Sequence, residues 1–197
     1  MLAIVSIVTM LWSWTGSRCW TSFGPHITLR TLSASCALRT GCTNSAISAA
    51  TCGTTTGRWT GASHGDGNGV VAGKYNSTTA ADESRYWWDH LRRAGFVSGV
   101  GDNQPFNALS GQIGVQTGDT AGAAALGGFA GIIICSANLP DKIAIAADTQ
   151  MDDGVSNAGT VRAVSQTAPN PDVLSGTTVA ASYAETGTNL YTLCRAL

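Results

Sequence analysis

The stretch from residue 131 to 165, GIIICSANLPDKIAIAADTQMDDGVSNAGTVRAVS, constrains this chain most. An apolar run over residues 129–134 leads into it, short and rich in β-branched side chains. That length and composition suit a buried strand better than a helix. The run ends at Cys135. Asn138-Leu139-Pro140 then gives a helix entry, with Asn138 as cap and Pro140 in the first turn, where its missing N–H is no loss. A short helix is expected next, with Ile143, Ala144 and Ala147 on one face, and Asp152-Asp153-Gly154 ending it. Residues 159–164 read as a second strand, with Val161 and Val164 apolar around Arg162. The unit is therefore strand, short helix, loop, strand.

Composition matters because it is uneven. The chain has 197 residues, enough for a real core and most simply one folded domain. Its formal net charge of -1 gives no basis for a nucleic-acid partner. All 12 acidic residues lie from Asp66 onward, whereas residues 1–65 carry only Arg18, Arg30, Arg39 and Arg58 as charges. Folded domains ordinarily mix both signs at about a quarter of positions. Residues 1–14 are apolar and uncharged, short of the ~20 residues a transmembrane helix needs. Residues 15–63 show no useful periodicity. They suit a cap bonded through Cys19, Cys36, Cys42 and Cys52, a Ser/Arg-rich targeting segment, or a stretch translated in the wrong reading frame. We favour the wrong frame. The division expected is an atypical segment, 1–63, and a globular head, 64–197.

In the head, the Gly/Asn-rich residues 65–69 read as a tight turn. Their partial likeness to a calcium loop fails at its twelfth position, which is Ser77. Residues 79–94 form the clearest helix. Thr79 is the expected cap, with Asp82 answering it three residues on. Acidic Asp82 and Glu83 begin the helix, basic Arg92 and Arg93 close it, and Gly95 stops it with Phe96 packing back. Trp87, Leu91 and Ala94 share a face that Trp88 widens. Core packing is the first reading of the two tryptophans, and a ligand platform the second. His90, with no nucleophile near it, reads as structural. Residues 97–128 look like loop, with an apolar island at 113–115 and a brief helical turn at 121–125. Residues 166–175 read as an exposed connection, 177–183 as strand or helix without a decision, and 189–193 as the last strand.

In order and spacing, these pieces resemble the C-terminal globular part of type IV pilin-like proteins of Gram-negative bacteria, including minor pilins and type II secretion pseudopilins. The resemblance rests on Ile133-Ile134-Cys135, on Leu139-Pro140 with Lys142, and on Asp148 with Asp152-Asp153-Gly154. It rests also on residues 159–163 (GTVRA), on Tyr191-Thr192-Leu193-Cys194, and upstream on residues 83–99. It covers roughly residues 64–197. The family's Gly-Phe-Thr-Leu-x-Glu prepilin box is not in this sequence.

The resemblance implies an α+β head: one main helix packed on a small antiparallel sheet of three or four strands, with a second short helix. It implies a disulfide between Cys135 and Cys194, each placed at a strand end about 60 residues apart. The alternative is two buried thiols. A bridge would in turn imply an oxidising compartment, the cell envelope or the exterior. Some pseudopilins bind calcium in a C-terminal loop, which makes Asp148, Asp152 and Asp153 the candidate ligands; a helix-ending turn ranks ahead of that.

No other cofactor is expected. The remaining cysteines lack zinc spacing, and no nucleophile elbow, phosphate loop or HExxH occurs. An enzyme is therefore not expected; Asp148 with Asp152 is the one carboxylate pair a hydrolase would have. The expected function is that of a structural subunit of a type IV pilus or pseudopilus. Its partners would be other pilin or pseudopilin subunits, with membrane contact only through an N-terminal apolar helix. The rival is a secreted, disulfide-bonded surface- or carbohydrate-binding module. It requires an exposed ring at Trp87 or Trp88, where the pilin reading requires both buried.

Overall fold

The computed structural model describes residues 60–66, 68–120 and 123–197. The expectations for residues 1–59, including the pairing of their four cysteines, lie outside the described residues. The rest is an α+β fold of two helices and one four-stranded antiparallel sheet. In chain order the elements are α1 (Glu83–Ala94), β1 (Ile113–Thr117), β2 (Ile132–Pro140), α2 (Asp141–Met151), β3 (Val161–Ser165) and β4 (Leu190–Ala196). The strand order is β1-β2-β4-β3.

Alternation along the strands supplies both faces of the sheet. Ile133, Cys135 and Ala137 of β2 join Val164 and Cys194 on one face, under Tyr75, Leu126, Phe129 and Val173. On the other face Ile113, Val115 and Ile134 receive Trp87 and Trp88 from α1. Further along that face Val161, Ala163, Tyr191 and Leu193 receive Ala144 of α2, with Ile143 and Ala147 beside it. Trp88 is fully enclosed and Trp87 is 9% exposed. Truncating either ring in such a core typically costs about 3–5 kcal/mol.

α1 starts later than its sequence signals suggest. Asp82, not Thr79, holds the N-cap position, and it makes no side-chain cap bond. Its carboxylate accepts the Ser77 hydroxyl at 2.5 Å, which removes it from capping. The helix ends as expected at Gly95, whose left-handed φ of 84° allows its N–H to reach the Arg92 carbonyl. Phe96 closes the helix end through its backbone N–H, which donates to Leu91 O at 2.9 Å, and the residue is 50% exposed.

β2 does not end at Cys135. It continues to Pro140, with a bulge between Ser136 and Leu139. Asn138 lies in that bulge at φ 57° and is no cap. Its N–H donates to Gln166 Oε1 at 2.6 Å, so the polar signal that looked like a helix start serves a strand irregularity. Pro140 takes the N-cap position itself. α2 then stops at Met151, before Asp152-Asp153-Gly154, as expected.

β1 lies inside the stretch expected to be loop. Its five residues are all buried, but Gly114 and Gln116 dilute the apolar pattern. Each has a tertiary reason. A Cβ on Gly114 would stand 1.8 Å from the Tyr75 carbonyl oxygen, so only glycine admits the segment that crosses there. Gln116 accepts the Tyr75 N–H at 3.0 Å and donates to Val173 O at 2.7 Å. Residues 123–125 are not helical; Ala125 bridges to Phe129 across a tight turn. Residues 177–183 are neither strand nor helix.

Both sheet edges are covered. Beside β1, Thr117 donates to Val71 O and accepts the Val71 N–H on its hydroxyl. Beside β3, the Ala163 N–H donates to Ser156 O and its carbonyl accepts the Ala180 N–H. Covered edges remove the template for pairing with another chain.

Candidate functional site

α2 carries the carboxylates that matter, one at its start and three around its end. Cys135 and Cys194 stand directly opposite on β2 and β4, and they are bonded, with Cα atoms 4.1 Å apart. That bond joins the two strands flanking the segment that contains α2, β3 and the 166–189 connection. A disulfide buried in this way belongs to an oxidising compartment, the envelope or the exterior. Among the described residues no helix is long and apolar enough to cross a membrane.

Asp148, Asp152 and Asp153 come together at the end of α2, with one carboxylate oxygen from each lying within 4.8 Å of the others. Asp148 is fully buried. Its Oδ2 accepts the Tyr183 hydroxyl at 2.5 Å, and its Oδ1 accepts the Gly154 N–H at 3.2 Å. Burial pushes its carboxyl above the ordinary range, and the neighbouring Asp153 and Asp152 push the same way. The Tyr183 hydroxyl is likewise raised, by burial first and then by Asp148. Asp152 Oδ2 accepts the N–H groups of Thr160 at 2.5 Å and Val161 at 2.9 Å, fastening the entry to β3. Gly159 makes this reach available: a Cβ there would stand 1.9 Å from that same oxygen. Asp153 Oδ1 accepts the Val155 N–H at 2.8 Å.

This corner is therefore built as a set of hydrogen-bond acceptors. Calcium takes 6–8 oxygens. Here both oxygens of Asp148 already face protein donors, and so does one on each of the other two. Asp152 Oδ1 and Asp153 Oδ2 accept none of these bonds, and each Asp148 oxygen keeps a second lone pair, so the three side chains supply part of the set calcium needs. Of the four oxygens of the Asp148–Asp152 pair, three face backbone N–H groups or the phenol.

Asp141, at the other end of α2, was not singled out in the sequence. It is 1% exposed. Its Oδ2 accepts the N–H groups of Gly187 at 2.6 Å and Thr186 at 2.8 Å, and its Oδ1 accepts that of Lys142 at 2.7 Å. The Gly187 N–H leads in holding this carboxyl below the ordinary range, with Lys142 and Thr186 adding to it against the effect of burial. An acidic residue directly after Pro140 was the available signal.

His90 is buried, with Nε2 2.7 Å from Ser63 O, and burial lowers its pKa. It lies beside the Asp89–Arg93 ion pair of 2.6 Å. The geometry is that of a helix holding its preceding segment. No family model, curated protein or solved structure matches this chain.

Proposed function

We propose that residues 64–197 are the head of a type IV pilus or pseudopilus subunit of the minor-pilin kind, with a structural and non-catalytic role. The observation that carries this reading is the Cys135–Cys194 bond across β2 and β4, which closes the C-terminal segment onto the sheet. A C-terminal bridge of that kind is what the sequence resemblance implies. Two further features support it. Trp87 and Trp88 are both buried against the sheet, so neither offers a ring to a sugar. Both sheet edges are covered, so assembly would run through a helix and loop surfaces rather than by strand addition. Its partners would be other pilin or pseudopilin subunits at the cell envelope.

The test is to shear surface filaments from the producing cells and probe the fraction with an antibody against the head. Sedimentation with filaments is the expected result. Recovery only as free protein in the culture fluid would overturn the reading. The DNA for residues 1–63 provides an independent check. Another frame encoding a Gly-Phe-Thr-Leu-x-Glu box and about 20 apolar residues would supply the helix that assembly needs.

A further inference from the structure

Asn68–Gly69 is the one Asn–Gly pair in the chain. Both residues are exposed. The Asn68 side chain is nevertheless held in place. Its Oδ1 accepts the Val70 N–H at 2.7 Å, and its Nδ2 donates to Asp66 Oδ2 at 2.7 Å. Oδ1 and the Val70 N–H close a ring that spans the Asn68–Gly69 peptide, holding the side chain on the same side as the backbone that follows it. Gly69 has φ +86°, nothing lies within 4 Å of where its Cβ would stand, and a glycine carries no side chain of its own to hinder its nitrogen. The Val70 N–H also sits where negative charge would develop if the amide carbon were attacked, as an oxyanion donor does.

From this geometry we propose that Asn68 is a site of spontaneous deamidation, a modification that uses only water. The Gly69 nitrogen, having given its proton to hydroxide, attacks Cγ of Asn68. A new N–Cγ bond forms as the C=O electron pair moves onto Oδ1, where the Val70 N–H stabilises it. The pair then returns, the Cγ–Nδ2 bond breaks, and the departing nitrogen takes a proton from water and leaves as ammonia. Water opens the resulting five-membered imide at either carbonyl, leaving aspartate or isoaspartate at position 68. No oxidant or reductant is involved.

The change adds one negative charge to a chain whose formal net charge is -1. It also removes the donor that Asn68 Nδ2 gives Asp66 and sets a carboxylate in its place. The Asp66 N–H donates to Glu83 Oε1 at 2.8 Å, and Glu83 Oε2 accepts the Ala72 N–H at 3.0 Å. Three carboxylates would then crowd the junction between the 64–72 segment and the first turn of α1, weakening that attachment.

The test is to hold the purified full chain at neutral and mildly alkaline pH and follow each asparagine by peptide mass. The Asn68 peptide should gain the mass of an amide turned into an acid and split into two products. It should do so at least about tenfold faster than peptides holding the exposed Asn103 and Asn157, a barrier difference of one tenfold step. The rate should rise with pH, and Asn68→Gln should abolish the acidic species. Asn68 keeping its amide as long as Asn103 and Asn157 do would overturn the proposal. The same chain unfolded in urea supplies a second comparison. A folded rate at or above the unfolded one supports the Val70 donor, and a folded rate well below it overturns the proposal.

Discussion

The two ends of α2 carry the same side chain, similarly buried, with carboxyl pKa values shifted in opposite directions. Asp141 begins the helix and faces three backbone N–H groups, so its carboxyl is held in the ionised form. Asp148 lies seven positions on, toward the helix end, beside two more carboxylates, and burial favours its protonated form. Burial acts against the charge at both places. At Asp141 the donors outweigh it. At Asp148 one phenol and one long N–H contact do not. Donor count and position along the helix therefore decide what burial does to a carboxylate.

The largest effect expected is one that leaves this contrast untouched. Reducing Cys135–Cys194, or replacing both with alanine, should cost about 4 kcal/mol for a loop of this length. Denaturant unfolding with and without reductant measures it and sets the scale for both ends. Next comes Asp141→Ala, which orphans the N–H groups of Lys142, Thr186 and Gly187. Its loss of Tm should exceed that of Asp148→Ala; an equal or smaller loss would break the contrast. Asp148→Ala should cost about 1–3 kcal/mol through the donors it leaves. Asp148→Asn keeps an acceptor for one of the two donors without the charge and should cost less than Asp148→Ala.

The pH profile sharpens the same comparison. Because the folded pKa of Asp148 is raised, its ionised form lowers stability above that pKa, and the penalty disappears as pH falls toward the unfolded value of 3.8. The folded pKa of Asp141 is depressed, so its contribution is present above 3.8 and is lost as pH falls through the folded value. Thermal melts from neutral pH to below 3.8 should show Asp148→Asn flattening the upper part of the curve and Asp141→Asn the lower part. The smallest effect is expected from calcium. Melts with calcium and with chelator should differ little, since three carboxylates whose oxygens already accept protein donors supply only part of the 6–8 oxygens calcium takes. A rise in Tm that Asp148→Asn abolishes would show that the cation wins.

Local chemistry made part of this legible. The β-branched run at 132–134, the αL stop at Gly95 and the break after Met151 each follow from covalent preferences acting over a few residues. The paired tryptophans gave α1 its buried face. β1 was not legible, because Gly114 is small to admit the Tyr75 backbone and Gln116 is polar to bind it. Asn138 misled for a related reason: the same short amide serves a helix cap or a strand bulge, and only the Gln166 partner decides. The acidic corner was visible as a cluster, but not the direction its oxygens face.

The sequence by itself determined where the two helices stop, which helix faces were apolar, and that Cys135 and Cys194 belonged to two apolar strands. Those are consequences of side-chain shape and spacing. Only the tertiary structure decided that Cys135 and Cys194 face each other across β2 and β4, and that Asp141 keeps its charge while burial favours the proton on Asp148. Both depend on groups far apart in the chain, and the energy of a buried charge is set by the donors that folding brings to it.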